Sequence, residues 1–536
     1  MERTRKIPLL KVDSIKLDAT IKAVQDHVSK HPPHSMSEIA RILQAAQICY
    51  QETTRKDAKP SKWVESIKCK ISLLESKVKL LEKLSLVERA AVYSKKLEVA
   101  DRRREYRVQN QSFELYRSNF YRKLGGAQEV AHNVSKVDIS NFWSTMWNRN
   151  DDIDTNKTFD AYLMEYVPDT NDQEPFPTYA EFVDIIKYLP NWKAAGCDGI
   201  YNFFIKKCES IHPFLYNVIK EICLKEENPE PWFYKGLTYL IPKGVPTRGS
   251  DFRPITCMSN FYKLTTKCTT KVMQLIVERR GLLSENQMGT VRNVQGAKEQ
   301  AMVNIAINKE HGNKLKTMWI DVKKAYDSVD HKYLLACVRL EMNREKSATN
   351  CTGCESDAVI LEGHQGYKYL GITEDASSIV KRETFEKVRK EILCRVEKLC
   401  MTKLNGKNMI RAINEHAISV INYHVGLVKL EPSDFKSLDH DISQVLIKYQ
   451  VHLQSACKER LYLPRTEMGR RLTNIEFKSE CMLLTMHKSF NETINSSLRR
   501  AAILKNEEAC DSHLSLIVNY LKIRYGLEEI PSLKVF

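Results

Sequence analysis

The sequence predicts an α+β fold, with mainly helical regions at both ends around a centre where helices alternate with strands. Three observations carry this. Apolar residues recur at helical spacing near the start (Ile39, Ile42, Leu43, Ala46) and again in the last third (Phe385, Val388, Ile392, Val396, Leu399). A short apolar stretch from Leu315 to Val322 reads as a buried strand. Hydrophobic residues make up 43% of the 536, enough for a sizeable core spread over several domains.

Composition narrows the class. Lys plus Arg number 83 against 67 Asp plus Glu, a formal charge of +16 that leans moderately toward polyanionic partners such as RNA and DNA; the alternative is a basic soluble protein with a solvated surface. The start, Met1-Glu2-Arg3-Thr4-Arg5-Lys6, leads into an apolar run of only Ile7 to Leu10, so no secretory segment is read there. No stretch is apolar for long enough to span a bilayer. An intracellular, soluble protein without a membrane partner is expected, with the nucleus open to it. Fifteen cysteines, an odd number, suit reduced thiols better than a disulfide framework.

Taken in order, Ser35-Met36-Ser37-Glu38 reads as a capping box ahead of the first apolar periodicity. A second helix is expected from about Trp63 to Asp101. Its heptad seam (Ile71, Leu74, Val78, Leu81) stops at Ser85 and Glu88, too short for a sustained coiled coil. Arg102, Arg103, Arg104 and Arg107 follow, interleaved with Tyr106, Phe113, Tyr116, Phe120 and Tyr121. Arginine can neutralise phosphates while aromatics stack on bases, so this segment is a nucleic-acid-binding candidate. The alternative is a basic amphipathic helix docked by its aromatic face. Asn148 to Asn156 reads as a polar linker. The mixed body begins near Pro175, with helices from Ser259 to Arg280 and from His331 to Leu340. Beyond Arg382 the chain is helical, apart from a loop near Pro464 to Gly469.

A series of motifs runs through the body. Lys193-Ala194-Ala195-Gly196-Cys197-Asp198-Gly199-Ile200 is a glycine-aspartate turn before a helix at Tyr201 to Cys208. Leu240-Ile241-Pro242-Lys243-Gly244 ends an apolar strand, and Asp251-Phe252-Arg253-Pro254-Ile255 and Ser259-Asn260-Phe261-Tyr262-Lys263-Leu264 follow it. Gln287-Met288-Gly289-Thr290-Val291-Arg292 precedes Trp319-Ile320-Asp321-Val322-Lys323-Lys324-Ala325-Tyr326-Asp327-Ser328-Val329-Asp330-His331. Then come Lys346, Gly366-Tyr367-Lys368-Tyr369-Leu370-Gly371-Ile372, Lys403-Leu404-Asn405-Gly406-Lys407-Asn408 and the segment Arg460 to Leu472.

In number and order these resemble the motifs of non-LTR retrotransposon reverse transcriptases, specifically the R2 and R4/Dong type, over about residues 100 to 500. The resemblance implies a right-hand polymerase fold of fingers, palm and thumb. It implies Lys243 and Arg253 as triphosphate contacts, a lysine point charge and an arginine donor fork suiting phosphate oxygens; the alternative for Arg253 is pairing with an internal carboxylate. It makes Asp321, in the palm's motif A, a Mg²⁺ ligand, with Asp327 a local structural residue. Tyr367, Tyr369, Leu370 and Gly371 become primer-grip candidates. In the segment Arg460 to Leu472 the family usually has glycine where this chain has Met468 and Arg471.

One family feature is missing from the sequence. Polymerisation uses two Mg²⁺ ions in near-octahedral oxygen coordination, and the family supplies motif A plus an Asp-Asp hairpin. That hairpin belongs between Asp327 and Lys346, where eighteen residues contain no Asp-Asp pair and no proline-glutamine-glycine loop. The Asp-Asp pair Asp151-Asp152 lies far upstream, and Asp357 and Asp375 are single. Two ions on Asp321 alone would repel each other. The palm is therefore read as internally truncated, with the rest of the metal site missing and polymerase activity lost. Well-matched flanks joined directly point to a block excision: a genomic deletion, a spliced transcript, or coding sequence taken for an intron.

The expected organisation is a helical N-terminal region (1–100), a basic-aromatic segment and linker (101–174), fingers and truncated palm (175–380), a helical thumb-like region (381–500) and a C-terminal tail (501–536). Cys351-Thr352-Gly353-Cys354 with His364 lacks a fourth ligand for zinc. No small-molecule cofactor is indicated. The reading is a degenerate reverse transcriptase domain. Its alternatives are a host-retained RNA/DNA-binding protein, or an active RNA-directed DNA polymerase if the true product contains the missing segment.

Overall fold

The computed structural model describes residues 4, 7, 12–56, 62–83, 86–126, 134–147, 175–225, 229–280, 296–311, 318–320, 348–349, 359–360, 367–374, 382–492, 503 and 513–530. In chain order these form α1 (Ser14–Lys30), α2 (Met36–Lys56), α3 (Lys62–Lys83), α4 (Val87–Leu115), α5 (Arg117–Leu124), α6 (Lys136–Trp147), α7 (Tyr179–Lys187), α8 (Asn202–Lys207), α9 (His212–Leu224) and α10 (Pro231–Tyr234). The hairpin strands β1 (Leu237–Pro242) and β2 (Phe252–Cys257) precede α11 (Asn260–Arg280) and α12 (Gly296–His311). Short strands follow: β3 (Met318–Trp319), β4 (Ala348–Thr349), β5 (Val359–Ile360), β6 (Tyr367–Tyr369) and β7 (Ile372–Glu374). The described chain then continues as α13 (Glu383–Cys400), α14 (Gly406–Ala412), α15 (Pro432–Lys448), α16 (Ile475–Glu492) and α17 (His513–Tyr525). The fold is mostly helical with small sheets, consistent with the α+β expectation.

Two compact units divide the chain: Met1–Ser94 with Gln128–Leu283, and Lys95–Ala127 with Ser284–Phe536. In the first, α1, α2 and α7 to α11 enclose a core that includes Leu43, Tyr50, Phe182, Phe204 and Phe261. In the second, the periodic residues Phe385, Val388, Ile392, Val396 and Leu399 are all buried on α13, packed with Phe435, Leu438 and Ile442 of α15. Burying each such side chain stabilises by roughly 2 kcal/mol before entropy is counted.

The N-terminal capping reading survives with one change. Ser35 Oγ accepts from the Glu38 amide at 3.2 Å, while the Glu38 carboxylate reaches the His34 amide at 2.8 Å rather than that of Ser35. The single helix expected from Trp63 to Asp101 is two helices. α3 ends where the heptad seam fails, the Leu86 amide reaching back to the Leu81 carbonyl at 3.0 Å. α4 then runs to Leu115 and carries all four candidate arginines.

The strand read at Leu315 to Val322 is described only at Met318–Trp319. It is not buried there: Met318 and Ile320 are exposed. Its partner β4 is two residues long and bonds in turn to β5, so this sheet covers little surface. After α14, a π-helical turn (Ile413–Ala417) and a 3₁₀ segment (Ile418–Tyr423) replace the regular helix suggested by spacing, yet Ile410, Ile413, Ala417 and Ile421 are all buried. Among the described residues the cysteines are free thiols. No helix among them is long and apolar enough to cross a membrane.

Candidate nucleic-acid interface

Two motifs of the first unit, Lys193–Ile200 and Ser259–Leu264, converge on one structural knot. Gln47, buried on α2, donates to the Gly199 carbonyl at 2.9 Å and accepts from the Tyr201 amide at 3.0 Å, clamping the turn of the first motif. Asn260 donates to the Ile200 carbonyl at 2.7 Å, and Lys263 to the Ala194 carbonyl at 2.6 Å, so the third motif grips the first. Gly196 is required by close approach, because a Cβ there would collide with the Ser259 backbone. Gly199 has φ +69°, which only glycine adopts cheaply.

Asp198, inside this turn, is 1% exposed and neither carboxylate oxygen finds a hydrogen-bond donor. Burial pushes its pKa up to about 6, against the pull of the nearby Ile200 and Gly199 amides and the Lys263 ammonium. In the sequence Asp198 reads as a turn aspartate. An acidic residue between two glycines carries no signal of its burial.

The β1–β2 hairpin presents the triphosphate candidates. Its antiparallel register sets Ile241 opposite Arg253, and the Lys243 amide extends the ladder to the Asp251 carbonyl at 2.8 Å. Carrying the register one step further makes Lys243 and Arg253 diagonal neighbours on one face, roughly 7–8 Å apart in such ladders. That face also carries Tyr239, Ile241 and Ile255, all exposed. Arg253 is exposed, and no ion pair to it occurs among the described residues.

Asp251 organises the loop behind the pair. It accepts from the Thr247 amide at 2.9 Å, the Thr247 hydroxyl at 3.2 Å and the Arg248 amide at 3.1 Å, and these bonds lower its pKa. The sequence motif alone assigns Asp251 no role. Its position three or four residues after the donors it binds was the available signal.

In the second unit the basic-aromatic segment divides by purpose. Arg102, Arg103, Arg104 and Arg107 are exposed on α4, with Arg104 pairing to Asp101 at 3.0 Å. The aromatics largely face inward: Phe113 and Phe120 are core residues, and Tyr121 stacks on His416 at 4.5 Å. Glu415 gathers Arg117 at 3.1 Å, Arg411 at 2.8 Å and the Tyr121 hydroxyl at 3.3 Å. Phe113, Phe120 and Tyr121 are therefore packing residues rather than stacking platforms, while Tyr106 and Tyr116 remain exposed.

The segment Lys403–Asn408 anchors the same helix. Asn110 donates to the Lys403 carbonyl at 2.8 Å and accepts from the Asn405 amide at 2.8 Å and from Asn408 at 3.0 Å. Asn405 also caps α14 through the Asn408 amide at 2.8 Å.

The primer-grip candidates form a β6–β7 hairpin with Leu370 and Gly371 as its two-residue turn. Both have positive φ, +47° and +87°, the signature of a type I′ turn. Leucine is a strained choice there, and the Tyr423 hydroxyl holds its carbonyl at 2.6 Å. Tyr367 is half-buried in β6; Tyr369 pairs with Ile372 across the hairpin. Near the end of the motif series, Met468 and Arg471 adopt φ +56° and +62°, matching the family preference for glycine there.

Asp321, Asp327, Lys346, the helix expected at His331 to Leu340, the Gln287 to Arg292 motif, the linker read at Asn148 to Asn156 and the Cys351/Cys354/His364 group lie outside the described residues. Among the described residues, no cluster of three or more His, Cys, Asp or Glu side chains is arranged to hold a metal ion.

Comparison with known proteins gives the geometry a context. The chain is 25% identical over 170 residues to the probable RNA-directed DNA polymerase from transposon BS of Drosophila melanogaster, covering 30% of this chain and 18% of that protein. It is 24% identical over 165 residues to the uncharacterized 149 kDa protein of transposon TX1 of Xenopus laevis, covering 30% of this chain and 12% of that protein. Both relatives are transposon proteins, and one is a probable RNA-directed DNA polymerase. The relationship is distant and partial, the chain spanning less than a fifth of the length of either relative. No protein-family model matches the chain.

Proposed function

We propose that this chain is a nucleic-acid-binding descendant of a non-LTR retrotransposon reverse transcriptase of the R2 or R4/Dong type, unable to extend a primer by itself. The observation that carries the proposal is the ordered motif series that includes Asp321 and lacks an Asp-Asp pair between Asp327 and Lys346. The partial similarity to transposon proteins supports the ancestry. Lys243 and Arg253 on one hairpin face, and the exposed arginines of α4, are suited to phosphate groups.

Mg²⁺ would be held through Asp321, and a single carboxylate with water cannot position two ions for phosphoryl transfer. What this chain's own residues supply is cationic surface. Lys243 and Arg253 neutralise phosphate oxygens at the fingers hairpin, with Asp251 fixing the loop behind them. Arg102, Arg103 and Arg107 do the same along α4.

Filter binding to RNA and DNA across a salt series tests this. Affinity is expected to fall linearly on a log–log plot, each phosphate contact adding roughly 0.7–0.9 to the slope. Salt-independent or undetectable binding would refute the function. An active polymerase is the second reading, carried by the intact motif A sequence. If the transcript or its locus encodes the missing hairpin, restoring it should give Mg²⁺-dependent extension that is lost on Asp321→Ala.

A further inference from the structure

The end of α1 carries two histidines one helical turn apart, in the stretch His27-Val28-Ser29-Lys30-His31. The His31 amide donates to the His27 carbonyl at 2.8 Å, so the last turn closes fully onto His31. Leu17, Val24 and Val28 bury the inner side of α1 in the first unit's core, which fixes the backbone beneath the pair. Residues four apart are neighbours on a helix surface, and here the two ring centres are 5.2 Å apart with their planes tilted by 44°. Both residues are exposed. Among the described residues no hydrogen bond or ion pair engages either ring, so the ring nitrogens are uncommitted there.

That separation is the one a shared metal ion requires. Zinc lies about 2.1 Å from a ligating imidazole nitrogen, hence about 3 Å from the centre of the ring. Two such rings at a tetrahedral angle have centres about 5 Å apart, which is the spacing of His27 and His31 as they stand. The location also suits a cation, because the last carbonyls of a helix lack intrahelical donors and carry the negative end of its dipole.

We propose that His27 and His31 form a two-imidazole site for a divalent transition metal of the Zn²⁺ class, and that the ion staples the last turn of α1. Imidazole suits Zn²⁺, Cu²⁺ and Ni²⁺, whereas Mg²⁺ takes oxygen ligands. Among the described residues no third His, Cys, Asp or Glu joins the pair, which leaves the remaining coordination positions to water. The site is independent of the polymerase ancestry, of Asp321 and of the exposed arginines.

The test is acylation of histidines in the full chain by diethyl pyrocarbonate, read by peptide mapping, with zinc or magnesium chloride as the added metal. At free Zn²⁺ about ten times the dissociation constant, labelling of both His27 and His31 should slow about tenfold. The exposed His440 should label at its usual rate, and Mg²⁺ should protect none of the three. His27→Gln should remove the protection of His31, and His31→Gln that of His27, because neither ring holds the ion alone at that concentration. Both substitutions fall on exposed positions, so the variants keep the parent's fold. Zn²⁺ should also slow hydrogen exchange of the His31 amide in the parent and in neither variant. Undiminished protection of His31 in His27→Gln would overturn the shared site. So would labelling that Zn²⁺ leaves unchanged, or protection no greater at the pair than at His440, the mark of adventitious binding.

Discussion

Replacing Asp198 by asparagine removes a charge that the folded chain holds at a cost. The carboxylate is 1% exposed, its oxygens lack donors, and its pKa lies near 6 rather than 3.8. Two units correspond to about 3 kcal/mol of preference for the protonated form on folding. The sign follows from the raised value. Between pH 3.8 and about 6 the folded state binds the proton and the unfolded state does not, so this contribution to stability falls as pH rises through that window. It stays at its least favourable level above it. Asparagine keeps the size but buries an amide with few partners, giving back about 1–2 kcal/mol. Asp198→Asn should therefore stabilise the Lys193–Ile200 turn by about 1–2 kcal/mol at pH 7.5, with the gain gone below pH ~4. Hydrogen exchange of a peptide covering the turn reads this locally, which matters in a chain of two compact units. Faster exchange in the variant at pH 7.5 would refute the reasoning, since it would mean the carboxylate is bonded in the native turn.

Met468→Gly and Arg471→Gly each relieve a left-handed residue and should stabilise by about 1 kcal/mol, measured by urea unfolding; a loss at both would show that contacts of those side chains outweigh the strain. Asp439→Ala strips acceptors from the first-turn amides of α16, Ile475 at 2.9 Å and Glu476 at 2.9 Å, and should cost about 2–3 kcal/mol in the same assay. Replacing Arg102, Arg103 and Arg107 together by glutamine should flatten the salt dependence of RNA binding by roughly 2 in slope, with thermal stability little changed. An unaltered slope would move the interface off α4.

Much of this was legible because it is local. The α13 stripe from Phe385 to Leu399 is buried as its spacing implies, and the Lys243 and Arg253 motifs do meet on one hairpin. The break between α3 and α4 was visible in the failed seam at Ser85 and Glu88, yet the pattern alone did not say that it ends a helix. What escaped was long-range. Tyr121 turns inward because His416 and Glu415, almost three hundred residues later, supply a stacking face and an acceptor. Asp198 and Lys298 look like ordinary polar residues until the fold buries them. The positive φ values at Met468 and Arg471 give a physical meaning to glycine at these places in the resembled family.

Template-directed primer extension with Mg²⁺, run on this chain at saturating template and nucleotide, tests the central claim most directly. The account predicts binding of the template without incorporation, and no change on Asp321→Ala. Robust synthesis that disappears in that variant would contradict it, because a complete metal site would then exist where the sequence shows half of one.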